Sequence, residues 1–111
     1  MSSTSSESSR PVPDFAFLTN HGKTLLLIAH DRRIRIRDIA GHLRITERAT
    51  QRIVADLARA GYIGRERDGR RNRYSVRTDV PLGLPTQRDI DIGSLLSILV
   101  TPEDLAAATP A

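Results

Sequence analysis

The 111-residue sequence contains no cysteine. That excludes a disulfide framework and any thiolate-ligated metal site, so nothing in the chain requires an oxidising compartment. Long hydrophobic runs are missing as well. The longest continuous one covers residues 25–29, far short of the ~20 residues that span a bilayer. No basic-then-apolar secretory pattern opens the chain, and the expectation is a soluble cytoplasmic protein without membrane association. Lysine is nearly absent too, with Lys23 alone against 16 arginines. A GC-rich coding sequence produces that bias as readily as a need for bidentate guanidinium contacts, so the placement of charge is the better guide.

The formal net charge of +4 conceals an uneven distribution. Residues 32–77 hold 14 Arg against five acids, Asp38, Glu47, Asp56, Glu66 and Asp68, a net of +9, while the rest of the chain sums to −5. A basic segment flanked by acidic ones is the footprint expected of a nucleic-acid binder, because phosphate neutralisation dominates affinity for such polymers. The length corresponds to one domain.

Residues 1–10 include six Ser and one Thr and no apolar residue after Met1. Such a stretch cannot offset its ordering entropy by burial, and residues 1–13 are expected to be a disordered Ser-rich tail. Phe15, Phe17 and Leu18 are the first residues with enough apolar area to dock. A DNA-binding domain is expected over 14–78, a connecting segment and C-terminal helix over 79–101, and a flexible tail over 102–111.

Apolar residues Leu25, Leu27, Ile28 and Ala29 predict a first helix to His30, with Thr19 or Asn20 as its N-cap. Ile34 and Ile36 alternate with Arg33, Arg35 and Arg37, which suits a short strand. Ile39, Ala40 and Leu43 predict a short second helix, broken at Arg44-Ile45. Thr46 is a good N-cap for a third, over 47–60, with Ile53, Val54 and Leu57 on its inner stripe and Gly61 as C-cap. A hairpin follows, centred on Asp68-Gly69; a two-residue loop there sets Ile63 opposite Tyr74 and Glu66 opposite Arg71, a pairing that a longer loop would shift. Pro81, Gly83 and Pro85 mark a connection. Ile92, Leu95, Leu96 and Leu99 then stand at i, i+3, i+4 and i+7 of a fourth helix ending before Pro102, its start favoured by Asp89 and Asp91.

The fold class expected is α+β, mainly α: a winged helix-turn-helix with a three-helix core, a two-stranded Arg-rich wing and an additional C-terminal helix. On the third helix, Arg48, Gln51, Arg52, Ala55 and Arg59 fall opposite the inward stripe. Arg48 and Arg52 can address guanine O6 and N7, Gln51 can address adenine, and Thr46 and Glu47 can meet phosphate or cytosine N4. In the wing, Arg70, Arg71, Asn72 and Arg73, with Arg65 and Arg67 across from them, would grip a minor groove or the backbone. The bland alternatives are a solvated helix face and charges that protect an exposed sheet edge. Leu95, Leu96, Ile98, Leu99 and Val100 offer more apolar surface than one stripe of a small domain covers, which points to a homodimer through Ile92, Leu95, Leu96 and Leu99 with recognition helices about one DNA turn apart, the alternative being that this helix packs only on the first helix of its own chain.

Other chemistries find little support. His21, His30 and His42 have no i, i+3 or i+4 partner, so no metal-binding helix face is visible and no cofactor is expected. Gly22-Lys23-Thr24 imitates the end of a phosphate-binding loop, yet Phe17 stands where its first Gly belongs. No catalytic constellation is present, and an enzyme is not expected.

Through residues 35–76, "RIRDIAGHLRITERATQRIVADLARAGYIGRERDGRRNRYSV", the chain resembles small winged helix-turn-helix transcription regulators of bacteria, of the MarR/ArsR-like kind and actinobacterial in style. The resemblance extends over about residues 15–100. It implies a dimeric, nucleoid-associated DNA-binding protein, with residues 45–57 matching the turn and recognition helix and residues 68–74 the wing. The lack of cysteine departs from thiolate metal sensors of that kind, and the short flanking helices leave a small-molecule effector undefined. Two other readings stay open: a winged-helix module that docks an acidic protein, and a sequence-independent architectural binder of DNA or RNA.

Overall fold

The computed structural model describes residues 14–86 and 90–101. Four helices and one two-stranded antiparallel sheet occur among them, an α+β arrangement that is mainly helical. The helices are α1 (Asn20–His30), α2 (Ile36–Leu43), α3 (Glu47–Arg59) and α4 (Ile92–Leu99), with strands β1 (Ile63–Asp68) and β2 (Arg71–Val76) between α3 and α4. The tails expected over 1–13 and 102–111, and Asp89, lie outside the described residues.

Local chemistry accounts for the helix limits. Thr19 caps α1 by accepting the Gly22 N–H at 3.1 Å, which settles the choice between Thr19 and Asn20. Asp91 caps α4 by accepting the Ser94 N–H at 3.0 Å. At the end of α3 the chain turns through Gly61 at φ 88°, with Gly61 N–H donating to Ala58 O and Tyr62 N–H to Leu57 O. This reciprocal pair needs a left-handed residue, which glycine supplies without a Cβ clash.

The core is one cluster drawn from every element. Leu25, Ile28 and Ala29 of α1 meet Ile39 of α2 and Ile53, Val54 and Leu57 of α3. Ile63, Tyr74 and Val76 of the hairpin and Ile92 and Leu96 of α4 complete it. Each buried aliphatic side chain of this size contributes roughly 1.5–3 kcal/mol, so the cluster is what holds α3 against α1 and α2.

Three expectations are corrected. The strand read from Ile34 and Ile36 is absent: residues 32–33 form a turn, and Ile36 opens α2. Its two-residue period was coincidental, because Ile36 belongs with Ile39, Ala40 and Leu43 to one helical stripe. All that pairs this segment with the hairpin's backbone is a bond of 2.9 Å from Tyr74 N–H to Arg32 O. The hairpin register is also shifted by two, with Ile63 opposite Val76, Glu66 opposite Arg73 and Asp68 opposite Arg71. Gly69 and Arg70 form the loop, and only Gly69 takes a positive φ, 68°. Centring the loop on Asp68-Gly69 would have asked Asp68 for the same conformation. A shift of two preserves the faces, so Ile63 and Tyr74 still point inward. Phe15 and Phe17, finally, do not dock; they are 69% and 91% exposed.

The connection after β2 is more ordered than a plain linker. Leu82 N–H donates to Ile90 O, Ile92 N–H to Val80 O and Gly93 N–H to Thr78 O, so the two arms run antiparallel and deliver α4 to the core.

Candidate nucleic-acid interface

The turn between α2 and α3 is three residues long. Arg44 ends α2 in the left-handed region, φ 58° and ψ 46°, and Ile45 N–H reaches back to Ala40 O at 3.1 Å. Thr46 then starts α3, its hydroxyl oxygen accepting the Ala49 N–H at 3.0 Å. One turn on, the buried Thr50 hydroxyl donates to Thr46 O at 2.9 Å, so the inner face of α3 is polar-satisfied where it meets the core. With Thr50, Ile53, Val54 and Leu57 buried, Glu47, Arg48, Gln51, Arg52 and Arg59 are exposed, and Ala55 is half-buried. The outward face therefore carries the residues the sequence placed there. Thr46 is already engaged as the cap.

The hairpin is tied to the turn before α2. Arg33 pairs with Asp68, and Arg71 donates from Nη2 to Arg33 O at 2.7 Å. Asn72 donates to the Tyr74 hydroxyl at 3.4 Å, a long contact. Of the four hairpin residues singled out from sequence, Arg71 and Asn72 are thus half-buried and used within the fold. Arg70 is exposed at the loop, and Arg73 is exposed 4.0 Å from Glu66.

A groove of about 580 Å³ joins the two regions. It is lined by Glu47 and Gln51 of α3, by Arg67 and Arg70 of the hairpin, and by Arg35 and Arg37 at the start of α2. Sequence reasoning passed over Arg35 and Arg37 because it assigned them to a strand. Among the described residues, Arg35, Arg37, Arg48, Arg52, Arg67 and Arg70 make no ion pair. Their charge is available to a ligand.

On the flank of α3 away from this groove, His21 Nε2 lies 2.8 Å from Asp56 Oδ2 and Arg59 Nη2 lies 3.0 Å from Asp56 Oδ1. The His21 hydrogen bond, opposed by partial burial and reinforced by the charges of Arg59, His21 and Arg52, holds the Asp56 carboxyl below the usual aspartate range. Asp56 is thereby engaged by its neighbours, while Glu47, the other acid of α3, has no ion pair among the described residues, and Arg48 and Arg52 remain outward. Planar guanidinium groups on an exposed helix face have the geometry to meet guanine edges or phosphates.

The residues expected to dimerise divide into two groups. Ile92 and Leu96 are buried in the chain's own core, and Leu95 is half-buried. Leu99 is 46% exposed and its neighbour Ile98 79%. These two border an apolar groove walled by Leu26 and Leu27 of α1 and Leu43 of α2. Any contact with a second copy through α4 would therefore use its last turn and not the full stripe.

Among the described residues no group of His, Asp or Glu could hold a metal ion, and no helix is long and apolar enough to cross a membrane. No family model matches the chain, and no match is found among curated proteins or solved structures.

Proposed function

We propose that the chain is a sequence-specific DNA-binding transcription regulator built on a winged helix-turn-helix. In this reading α2 braces α3, α3 enters a major groove, and the β1–β2 hairpin is the wing on the adjacent minor groove or backbone. The observation that carries it is the continuous concave surface bounded by Gln51 of α3 and by Arg67 and Arg70 of the hairpin. A merely solvated helix face would have no reason to be continuous with an Arg-rich hairpin. Arg48, Gln51 and Arg52 are the base readers, and Arg70 and Arg73 grip the flank. Arg71 and Asn72 serve to position the wing. The protein works without a cofactor or catalytic step, in the cytoplasm at the nucleoid. As a homodimer, joined through Ile98 and Leu99, it would match a palindromic site.

The test is selection from a randomised duplex pool at physiological salt, followed by sequencing of what is retained. Enrichment of a palindrome with half-sites about one helical turn apart, roughly 34–36 Å, is the expected result. Retention without an enriched motif would replace sequence-specific regulation with architectural binding. No retention would overturn DNA binding in favour of a protein-docking module.

A further inference from the structure

The groove between α3 and the hairpin has a wall that belongs to neither. Arg35 and Arg37, at the start of α2, are exposed on it. Arg35 occupies the N-cap position of α2, where a guanidinium, having no acceptor, cannot cap, and it makes no ion pair among the described residues. Arg67 and Arg70 of the hairpin line the same groove, likewise exposed and without an ion pair among the described residues. Arg71 also lines the groove. Its Nη2 is held by Arg33 O, while its Nε is buried with no acceptor among the described residues. A buried guanidinium N–H without an acceptor is costly, and an anionic oxygen is the partner that best relieves it.

Two acids also line the groove. Asp68 is neutralised by Arg33. Glu47 has no ion pair among the described residues and lies at the α3 edge. Its charge repels an anion from that edge and favours the side lined by arginines.

We propose that this groove is a phosphodiester-binding cleft. It holds the sugar–phosphate backbone of one DNA strand between Arg35 and Arg37 of the α2 start and Arg67 and Arg70 of the hairpin. Glu47 keeps the phosphates off the α3 edge, so the bases of that strand turn toward Gln51. The cleft rests on the DNA-binding reading above and adds to it a site on α2 that fixes the register of the duplex without reading sequence.

The experiment measures binding of the full chain, wild type and Arg35→Gln/Arg37→Gln, to several duplexes of different sequence across a salt series. The double variant is expected to lose affinity for every duplex by one common factor, on the order of tenfold. Its slope of log affinity against log salt becomes shallower by about 2, and the ranking of sequences is unchanged. Arg67→Gln, on the hairpin, is expected to make the slope shallower by about 1, which keeps the test open if the double variant does not fold. Unchanged affinity and slope in these variants, with tight binding by the wild type, would overturn the cleft and leave the DNA reading standing. A changed ranking of sequences would also overturn it, since base readout would then lie at Arg35 or Arg37. A wild-type chain that binds no duplex would overturn both.

Discussion

His21 Nε2 and Asp56 Oδ2 are 2.8 Å apart, joining the first turn of α1 to the outer flank of α3. The folded-state pKa of Asp56 lies below its ordinary value, first because of the His21 hydrogen bond. Ionised Asp56 therefore adds stability that is fully present above the ordinary aspartate pKa and is lost as pH falls from there through the lower folded value. Urea midpoints of the wild type and Asp56→Asn are expected to differ at neutral pH and to converge in acid. A difference that is constant over that range would show that the ionised carboxylate contributes nothing.

Thr24 is completely buried in α1, and its hydroxyl finds no partner among the described residues. An unsatisfied buried hydroxyl costs about 1–3 kcal/mol, and valine has nearly the same shape. Thr24→Val is expected to raise the unfolding free energy by about 1 kcal/mol in a denaturant titration. Destabilisation instead would mean that the hydroxyl has found an acceptor.

Arg44 and Gly61 both end helices with a positive φ, 58° and 88°. The left-handed region costs a residue with a Cβ roughly 1–2 kcal/mol, and glycine nothing. Gly61→Ala is therefore expected to destabilise by about 1 kcal/mol or more. Arg44→Gly should stabilise by a few tenths of a kcal/mol, the strain relieved less the backbone entropy that glycine adds. Thermal melts of the two variants should move in opposite directions.

Arg52 is exposed on α3 with no ion pair among the described residues. If it reads a base, Arg52→Ala costs roughly 1–3 kcal/mol of affinity for the selected site and relaxes preference at one base position. Repeating the duplex selection with this variant checks both effects. Equal weakening on all sequences would make Arg52 a phosphate contact.

Much of the fold was legible because its determinants are local. Thr46 three residues before Ala49, Gly61 after a helical stripe and Asp91 three before Ser94 each fix a helix end from neighbours in sequence. The outer face of α3 follows from the same stripe, which is why the sequence alone puts Arg48, Gln51 and Arg52 outward. Ile34 and Ile36 point to a strand by sequence because the five residues 33–37 fit a period of two and the start of a helical stripe equally well. Nothing in sequence distinguishes Arg71 from Arg70; only the carbonyl of Arg33, 38 positions away, draws one inward. The same distance hid the pairings of Arg33 with Asp68 and His21 with Asp56, both 35 positions apart.

The tie between Arg33 and the hairpin also sets an order of assembly. The turn at Gly69 brings its strands together within a few residues, and α2 and α3 are joined by three. Docking the hairpin through Arg33 closes a loop of 35 to 38 residues, whose chain entropy is offset only once the helices have condensed. The groove is thus expected to form after the helical core and to open before it. Arg71→Met, which removes the tie, should accelerate unfolding while leaving the folding rate nearly unchanged in stopped-flow kinetics.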